Sequence, residues 1–445
     1  MKIKLIVPSR YLPDGRLLKS RAQYFPSLTL PLLAALAPAD CEVSITDDLI
    51  EDIDFDEDID LVGITSYTFN IQRAYKIADQ FRERRVYVVM GGIHVTFNPE
   101  EARAHCETVI LGEAEETWPQ FLHDLQKGVP QKIYHPTGKH SLANLPIPRF
   151  SLLNQTPFNL LQDKGIVRLL KLQFLPLQTS RGCPHRCEFC SVAPFHGGRY
   201  RTRPIGDVVR EIRSLKARNF FFYDDNIMAS PGRARELFRS LIPLKIKWLG
   251  QATINAAQDI ELIRLARKSG CLELSIGMES LSQKHLDAIG KAHNVVADYE
   301  KHLSIFKKEG ITVSLGLMFG YDDDEPSVFR KTYEFLLKNR IPYTVWELLK
   351  PYPGTALYHR LKQEGRLKDE SWWLKADMLT HCLAYTGIKM DEDQFFKNFY
   401  HYSKKFYSLK SIFQRIMLPP QPRWPRKIFV NLILRKIIRS PDLPI

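Results

Sequence analysis

Long apolar runs are missing from this chain of 445 residues. No stretch approaches eighteen uninterrupted apolar residues, so no transmembrane helix is expected. Cysteine is scarce: seven residues are too few over this length for a disulfide framework. Such usage fits a reducing compartment, and a cytoplasmic location is the expectation. A secretory leader is not expected either, because the apolar run in MKIKLIVPSR is short and reads as a first strand. Acids are nearly absent from residues 401–445, where ten Lys/Arg meet one acid. That end therefore carries +9 of the net +13, leaving +4 for the rest of the chain. Basicity confined to one end argues against a nucleic-acid footprint over the body. The opposite bias, DDLIEDIDFDEDID at 47–60, has nine acids and no base, and reads as a solvated loop or helix face between strands.

What is present is alternation. KLIVP, then residues 43–46, 61–65, 86–90 and 108–111, are short β-branched runs separated by helix-length segments such as NIQRAYKIADQFRER. Apolar runs without strict alternation suit strands buried on both faces of a parallel sheet. Residues 1–135 are thus expected to form a doubly wound, Rossmann-like α/β domain, with ligands beyond the carboxyl ends of its strands. Residues 136–175 lose the rhythm at Pro136, Pro146, Pro148 and Pro157, and read as a linker. From 176 to 375 the alternation resumes six times, with strands expected at 176–180, 220–224, 247–253, 271–277, 311–320 and 343–350. Six β/α units predict a partial barrel whose active groups lie at the C-terminal strand ends. Residues 365–400 read as helical and aromatic, and 376–445 as a C-terminal helical region.

Directly after the first barrel strand comes RGCPHRCEFCSVAPFHGGRYRTRP, which places Cys183, Cys187 and Cys190 in a C-x3-C-x2-C loop. Structural zinc usually takes four protein ligands, commonly from two separated pairs. Three thiolates in one loop suit an iron–sulfur cube with one iron left open, since soft anionic sulfur is the donor such iron prefers. On spacing alone, a zinc knuckle completed by His185 or His196 stays open.

The loop, with Phe189 before its last cysteine, resembles the signature of the radical S-adenosylmethionine (SAM) superfamily, and its flanks TSRGCPHRCEFCSV and GGRYRTRP resemble the cobalamin-binding branch. The resemblance continues through FYDDNI, SIGMES, LMFGYDDDEP and LLKPYPGTALY, and in the first domain through VVMGGIHVTFNPEEA and VILGEAEET. It covers about residues 1–375. It implies that Cys183, Cys187 and Cys190 hold a [4Fe–4S] cluster whose open iron takes SAM. Reductive cleavage of SAM to a 5′-deoxyadenosyl radical, fed by an external flavodoxin- or ferredoxin-type reductant, then activates an inert carbon. Tyr223, Asp224 and Asp225 are implied near the SAM amino group, with a helix N-cap as the competing role for an Asp. Glu279 is implied at the SAM ribose, where a carboxylate accepts from paired hydroxyls. The segments starting at Gly316 and Pro351 are implied at the adenine, against a purely structural turn. Ser66, Thr68, Gly91, Gly92, Gly112 and Glu113 are implied around the cobalamin, although a GG pair alone fits plain turn geometry. The loop after the first strand lacks D-x-H-x-x-G, so the cobalamin is expected base-off and without a His lower ligand. His94 reads as structural or tail-contacting rather than as a substitute.

The implied activity is methylation of an unactivated carbon by a cobalamin-dependent radical SAM enzyme. A cyclase or rearranging enzyme of the same architecture is the alternative, and a membrane-docked Fe–S electron-transfer or sensing protein is the alternative of another class. At the C-terminus, Phe406, Leu409, Ile412, Phe413 and Ile416 share one helix face, and RKIFVNLILRKIIRS is apolar with basic ends. This suits a peripheral membrane surface, docking on the barrel or another subunit, or a disordered tail. A membrane contact would favour a lipid, isoprenoid or tetrapyrrole-like substrate. Trp346, Trp372 and Trp373 read either as lining for such a substrate or as ordinary core.

Overall fold

Short β-branched runs become parallel strands buried on both faces, as their lack of strict alternation predicts. The computed structural model describes residues 1–20, 26–138, 141–154, 174–379 and 381–439. The first sheet contains β1 (Lys2–Val7), β2 (Glu42–Asp47), β3 (Leu61–Thr65), β4 (Tyr87–Gly91), β5 (Thr108–Ile110) and β6 (Ile133–Tyr134). Its order is β2-β1-β3-β4-β5-β6, parallel throughout. Successive side chains serve opposite faces. Val62, Val88 and Met90 pack with the helix Ile71–Glu83, whereas Leu61 and Val89 pack with the helices Thr29–Leu36 and Thr117–Gln126. β6 is too short to have shown in the sequence, and it adds a sixth strand at the end of the expected first domain. Most of the expected linker lies outside the described residues.

The second sheet runs β14-β13-β12-β11-β10-β7, also parallel. Its strands are β7 (Leu175–Leu177), β10 (Asn219–Phe222), β11 (Lys247–Ala252), β12 (Cys271–Glu279), β13 (Thr312–Phe319) and β14 (Tyr343–Leu348). These are the six expected barrel strands, with β7 and β14 as the edges of an open barrel. Two further strands, β8 (Ser180–Arg181) and β9 (Arg201–Thr202), pair antiparallel and frame the cysteine loop. Two residues per strand leave no periodicity to read in advance.

Residues 365–391 are not the continuous helix expected. Among the described residues this stretch holds the short turns Trp372–Leu374 and Asp377–Leu379 and an antiparallel bridge between Leu367 and Tyr385, before the helix Glu392–Phe406. Tertiary contacts override propensity here. Trp372 and Trp373 are buried against the first domain's core, and the Trp373 indole donates to Glu101 at 3.1 Å. Trp346 is also core, stacked on Phe319 at 4.7 Å. The acidic run begins at the end of β2 and continues as a loop to β3, and two of its acids are buried, Asp47 and Asp48, the latter accepting from Arg73 at 2.8 Å.

The tail docks on the base of the barrel. Arg415 is fully buried and donates to the carbonyls of Ile341, Pro342 and Phe406 at 2.6, 2.8 and 2.9 Å. The last helix, Trp424–Arg439, turns Lys427 and Asn431 inward, while Leu432 faces out. In the helix Leu409–Met417, Ile412 and Ile416 are buried but Leu409 and Phe413 are exposed, so the single apolar face expected there is split. No helix among the described residues is long and apolar enough to cross a membrane.

Candidate functional site at the meeting of two sheets

Both sheets direct their carboxyl ends at one cleft. A cavity of about 310 Å³ opens there, lined by Ser66, Gly92 and Glu113 from the first domain and by Arg181, Tyr223 and Asp225 from the barrel. Its deeper wall is apolar, built from Leu5, Leu30, Leu33 and Trp118. Gly63 keeps that wall open, because a Cβ there would come within 2.8 Å of Leu5.

Gly92 is required at the mouth. Its φ is +107°, and a Cβ would lie 2.4 Å from the carbonyl oxygen of Ser66. The Ser66 hydroxyl is buried and finds no partner among the described residues, so it is left for a ligand to satisfy. Thr68 is engaged by His94, whose Nδ1 lies 3.1 Å from its hydroxyl. The other ring nitrogen of His94 meets Glu101 at 3.1 Å, so both nitrogens of this buried imidazole have protein partners. Gly91 lies against the Ile110 carbonyl, and the Gly112 amide donates to Thr96 at 2.9 Å. Glu113 reaches out of its domain. It pairs with Arg181 at 3.1 Å, with His196 at 2.8 Å and with Arg201. Burial favours its neutral acid, but hydrogen bonds from His196 and Arg201, with the charge of Arg181, outweigh this and hold the carboxyl well below the usual range.

On the barrel side, Cys183, Cys187 and Cys190 sit half-buried in the loop between β8 and β9. Burial pushes all three thiols up, Cys187 to about 11, while the ammonium of Lys291 works the other way at each. Iron would have to displace these protons, and Lys291 lowers the cost. Of the two histidines that might have completed a zinc site, His196 is bound to Glu113 and His185 stacks on His293 at 3.6 Å, and no group of three or more His, Cys, Asp or Glu among the described residues is set to hold a metal ion by itself. Three sulfurs on one loop, with a cation beside them, fit an anionic iron–sulfur cube with one open corner.

Glu279 ends β12 at a break in register, with φ +65°. A non-glycine residue in that region is strained. Its carboxylate accepts from Lys291 at 2.6 Å and folds over Gly277, where a Cβ would come within 2.3 Å of the Glu279 oxygen. Gly277 pairs with Gly316 on β13, so two adjacent strands present bare backbone to the lumen. The hydroxyl of Tyr321 and the side-chain oxygen of Asn294 lack partners nearby among the described residues.

The acids after β10 divide. Asp225 reaches the cavity and accepts from the Gly182 amide at 2.9 Å. Asp224 is fully buried and does not line it. It accepts from the Thr179 amide and hydroxyl and from Ser180, which pins the start of the cysteine loop, and burial pushes its carboxyl up to about 6. The Tyr223 hydroxyl donates to the Pro26 carbonyl at 2.9 Å, across the domains. The Pro351 carbonyl accepts from the Trp372 indole, and Gly354 lies against Phe97 of the first domain, so that turn holds the two domains together. Sequence reasoning missed Lys291 and Arg181. Arg181 lies within the quoted cysteine-loop motif but was given no role, Lys291 has no local signature, and each acquires its role only when a distant acid folds against it.

The chain matches three family descriptions: a B12 binding domain at residues 17–122, the radical SAM superfamily at 177–336 and a domain of unknown function (DUF4070) at 355–420. It is 31% identical over 422 residues to the bacteriochlorophyllide d C-12(1)-methyltransferase of Chlorobaculum tepidum, which covers 93% of this chain and 89% of that protein. It is 24% identical over 380 residues to the anaerobic magnesium-protoporphyrin IX monomethyl ester cyclase of Cereibacter sphaeroides, covering 77% and 61%. In fold it is similar to the radical SAM methyltransferase TsrM of Kitasatospora setae, solved with cobalamin and a [4Fe–4S] cluster (TM-score 0.64, 17% identity, 82% of this chain and 78% of that one). A cysteine loop facing a B12-type cavity, and kinship along nearly the whole length, lead to one conclusion: the chain belongs to the cobalamin-dependent radical SAM methyltransferase family.

Proposed function

We propose that this enzyme methylates an unactivated carbon of a hydrophobic, tetrapyrrole- or isoprenoid-like substrate. One observation carries the reading: the cysteine loop and the B12-type cavity face each other across a single cleft formed by strand ends. When bound, cluster, SAM and cobalamin supply the radical and the methyl group. The chain's task is to hold them in line and exclude water. Cys183, Cys187 and Cys190 would hold the cluster, Lys291 would offset its negative charge, and Glu279 would accept from the ribose hydroxyls. Asp225 would approach the amino group, and Ser66, Gly92 and the Leu5–Trp118 wall would take the cobalamin tail. The substrate class is supported by the bacteriochlorophyllide methyltransferase relative. The outward Leu409, Phe413 and Leu432, set among basic residues, support contact with an anionic membrane surface. An external one-electron reductant completes the reaction.

The cyclase relative supports a second reading, radical cyclisation on the same architecture. Anaerobic reconstitution with chlorin and hopanoid substrates separates the two. Methylation yields 5′-deoxyadenosine, S-adenosylhomocysteine and a methylated product, whereas cyclisation yields deoxyadenosine alone. Cys187→Ala abolishes cleavage and retains cobalamin. Cleavage that survives this change removes the cluster assignment.

A further inference from the structure

A second cavity opens at the other end of the barrel. It holds about 60 Å³ and lies at the amino ends of β13 and β14, against the tail. Lys307, Arg340 and Lys427 line it, and among the described residues no acid does. The three come from separate places: the last turn of the helix Tyr299–Lys308, the turn before β14, and the helix Trp424–Arg439. Two more cations stand behind the wall. The Arg267 Nε lies 3.4 Å from where a Cβ on Gly310 would sit, and Arg423 donates to the Leu272 carbonyl at 3.4 Å. Among the described residues, none of these five cations has a carboxylate within ion-pair distance. Glu309, next to Gly310, is turned to Arg264 at 3.2 Å. Glu273 on β12 is in electrostatic reach of Arg423, Arg426 and Lys427, but burial outweighs their pull and pushes its carboxyl up.

Donors are left over at the cavity. Lys427 is 6% exposed, yet its ammonium meets only Gln421 among the described residues, at 2.8 Å. Arg340 gives one N–H to the Arg415 carbonyl at 3.2 Å and another to the Pro419 carbonyl. An ammonium has three donors and a guanidinium five, so each retains N–H groups for a ligand. Burial pulls the Lys427 ammonium down, to about 8; Glu273 opposes this, and the charges of Arg423, Arg340 and Lys307 add to it. Gathering like charges in a recess costs free energy, and an arriving anion would recover it. The rim is apolar. The loop between the last two helices supplies Gln421 and Pro422 to the cavity, and on either side of them Leu418 and Trp424 are exposed. A cationic recess edged by such side chains suits a molecule with an anionic head and an apolar tail, and Trp favours that boundary.

We propose that Lys307, Arg340 and Lys427 bind a phosphate group at the base of the barrel, and that a phospholipid bears it. This rests on the membrane contact proposed above for the bearer, though not for the phosphate. The anions of the cofactors are not the occupants, because the cleft they would share lies at the carboxyl ends of the strands and this cavity at the amino ends.

The test uses the cobalamin-loaded full chain, in which the cofactor's own phosphate site is filled. Calorimetric titration compares dihexanoyl phosphatidylglycerol, dihexanoylglycerol and glycerol 3-phosphate. The phosphatidylglycerol binds roughly 10- to 100-fold more tightly than the phosphate-free lipid, the range of charge-assisted hydrogen bonds, and more tightly than glycerol 3-phosphate. Lys427→Met lowers this preference roughly tenfold. Lys307→Ala, at an exposed position without a partner among the described residues, lowers it roughly 2- to 5-fold with no demand on folding. Neither change alters binding of dihexanoylglycerol. Equal binding of the two lipids, or a preference unaltered in both variants, overturns the site. Glycerol 3-phosphate bound as tightly as the phosphatidylglycerol supports the phosphate site and overturns the lipid as its bearer. Vesicle flotation is scored separately: phosphate preference without capture supports the site and removes the membrane reading, whereas capture without phosphate preference overturns the site alone.

Discussion

Glu113 carries one negative charge and faces three basic groups from the other domain. Its carboxyl sits below its ordinary value of 4.5, so the folded protein holds the ionised form more tightly than the unfolded chain does. The sign follows: this contribution is fully present above about pH 4.5 and is lost as pH falls through the lower folded value. Glu113→Gln removes the one charge that Arg181, His196 and Arg201 share, and costs about 3 kcal/mol. Denaturant melts across pH 3–7, at roughly one-unit steps, are expected to show the variant destabilised at neutral pH and less acid-sensitive than the native protein. Equal acid slopes would remove Glu113 from the domain interface. The residues that matter most here were unevenly legible. The cysteines announced themselves by spacing. Glu113 stood out only as part of a motif, and its three partners lie 68 or more positions away, where no local pattern connects them.

At the scale of the element, β12 is the most informative. It ends on a strained Glu279, and the strain is held by Lys291 and by the space above Gly277. Gly277→Ala fills that space and displaces the carboxylate. SAM binding to the reconstituted enzyme, measured by equilibrium dialysis, is expected to weaken by roughly tenfold, or about 1.4 kcal/mol. Unchanged affinity would make the Glu279–Lys291 pair structural only. Eleven of the strands of the two main sheets were legible, because parallel buried strands are uninterrupted apolar runs that need no partner to be recognised. β6, β8 and β9 were not, since two residues have no period. The break in register at Glu279 was not legible either, because a bulge depends on what the neighbouring strand does. The stretch at 365–391 has helical composition, but its tryptophans are held by a domain distant in sequence.

For the whole molecule, the tail resolves one sequence-level alternative and leaves another to be tested. It docks on the barrel, yet its last helix packs polar Lys427 and Asn431 inward and turns Leu432 out. Exposed apolar side chains beside exposed Lys436 and Arg439 suit a third phase beyond protein and water. Flotation with vesicles containing phosphatidylglycerol is expected to capture the protein, and added salt to weaken capture. The double change Phe413→Glu and Leu432→Glu lowers the vesicle partition coefficient roughly 100-fold, in keeping with about 3 kcal/mol for two such side chains. Equal capture by neutral vesicles, or by the variant, would remove the membrane from the account.

The opposition of the two sheets has a consequence for traffic. Their strand ends face one cavity, so whatever the two domains bind there enters past the same rim. Arrival and departure at that threshold would then have to take turns.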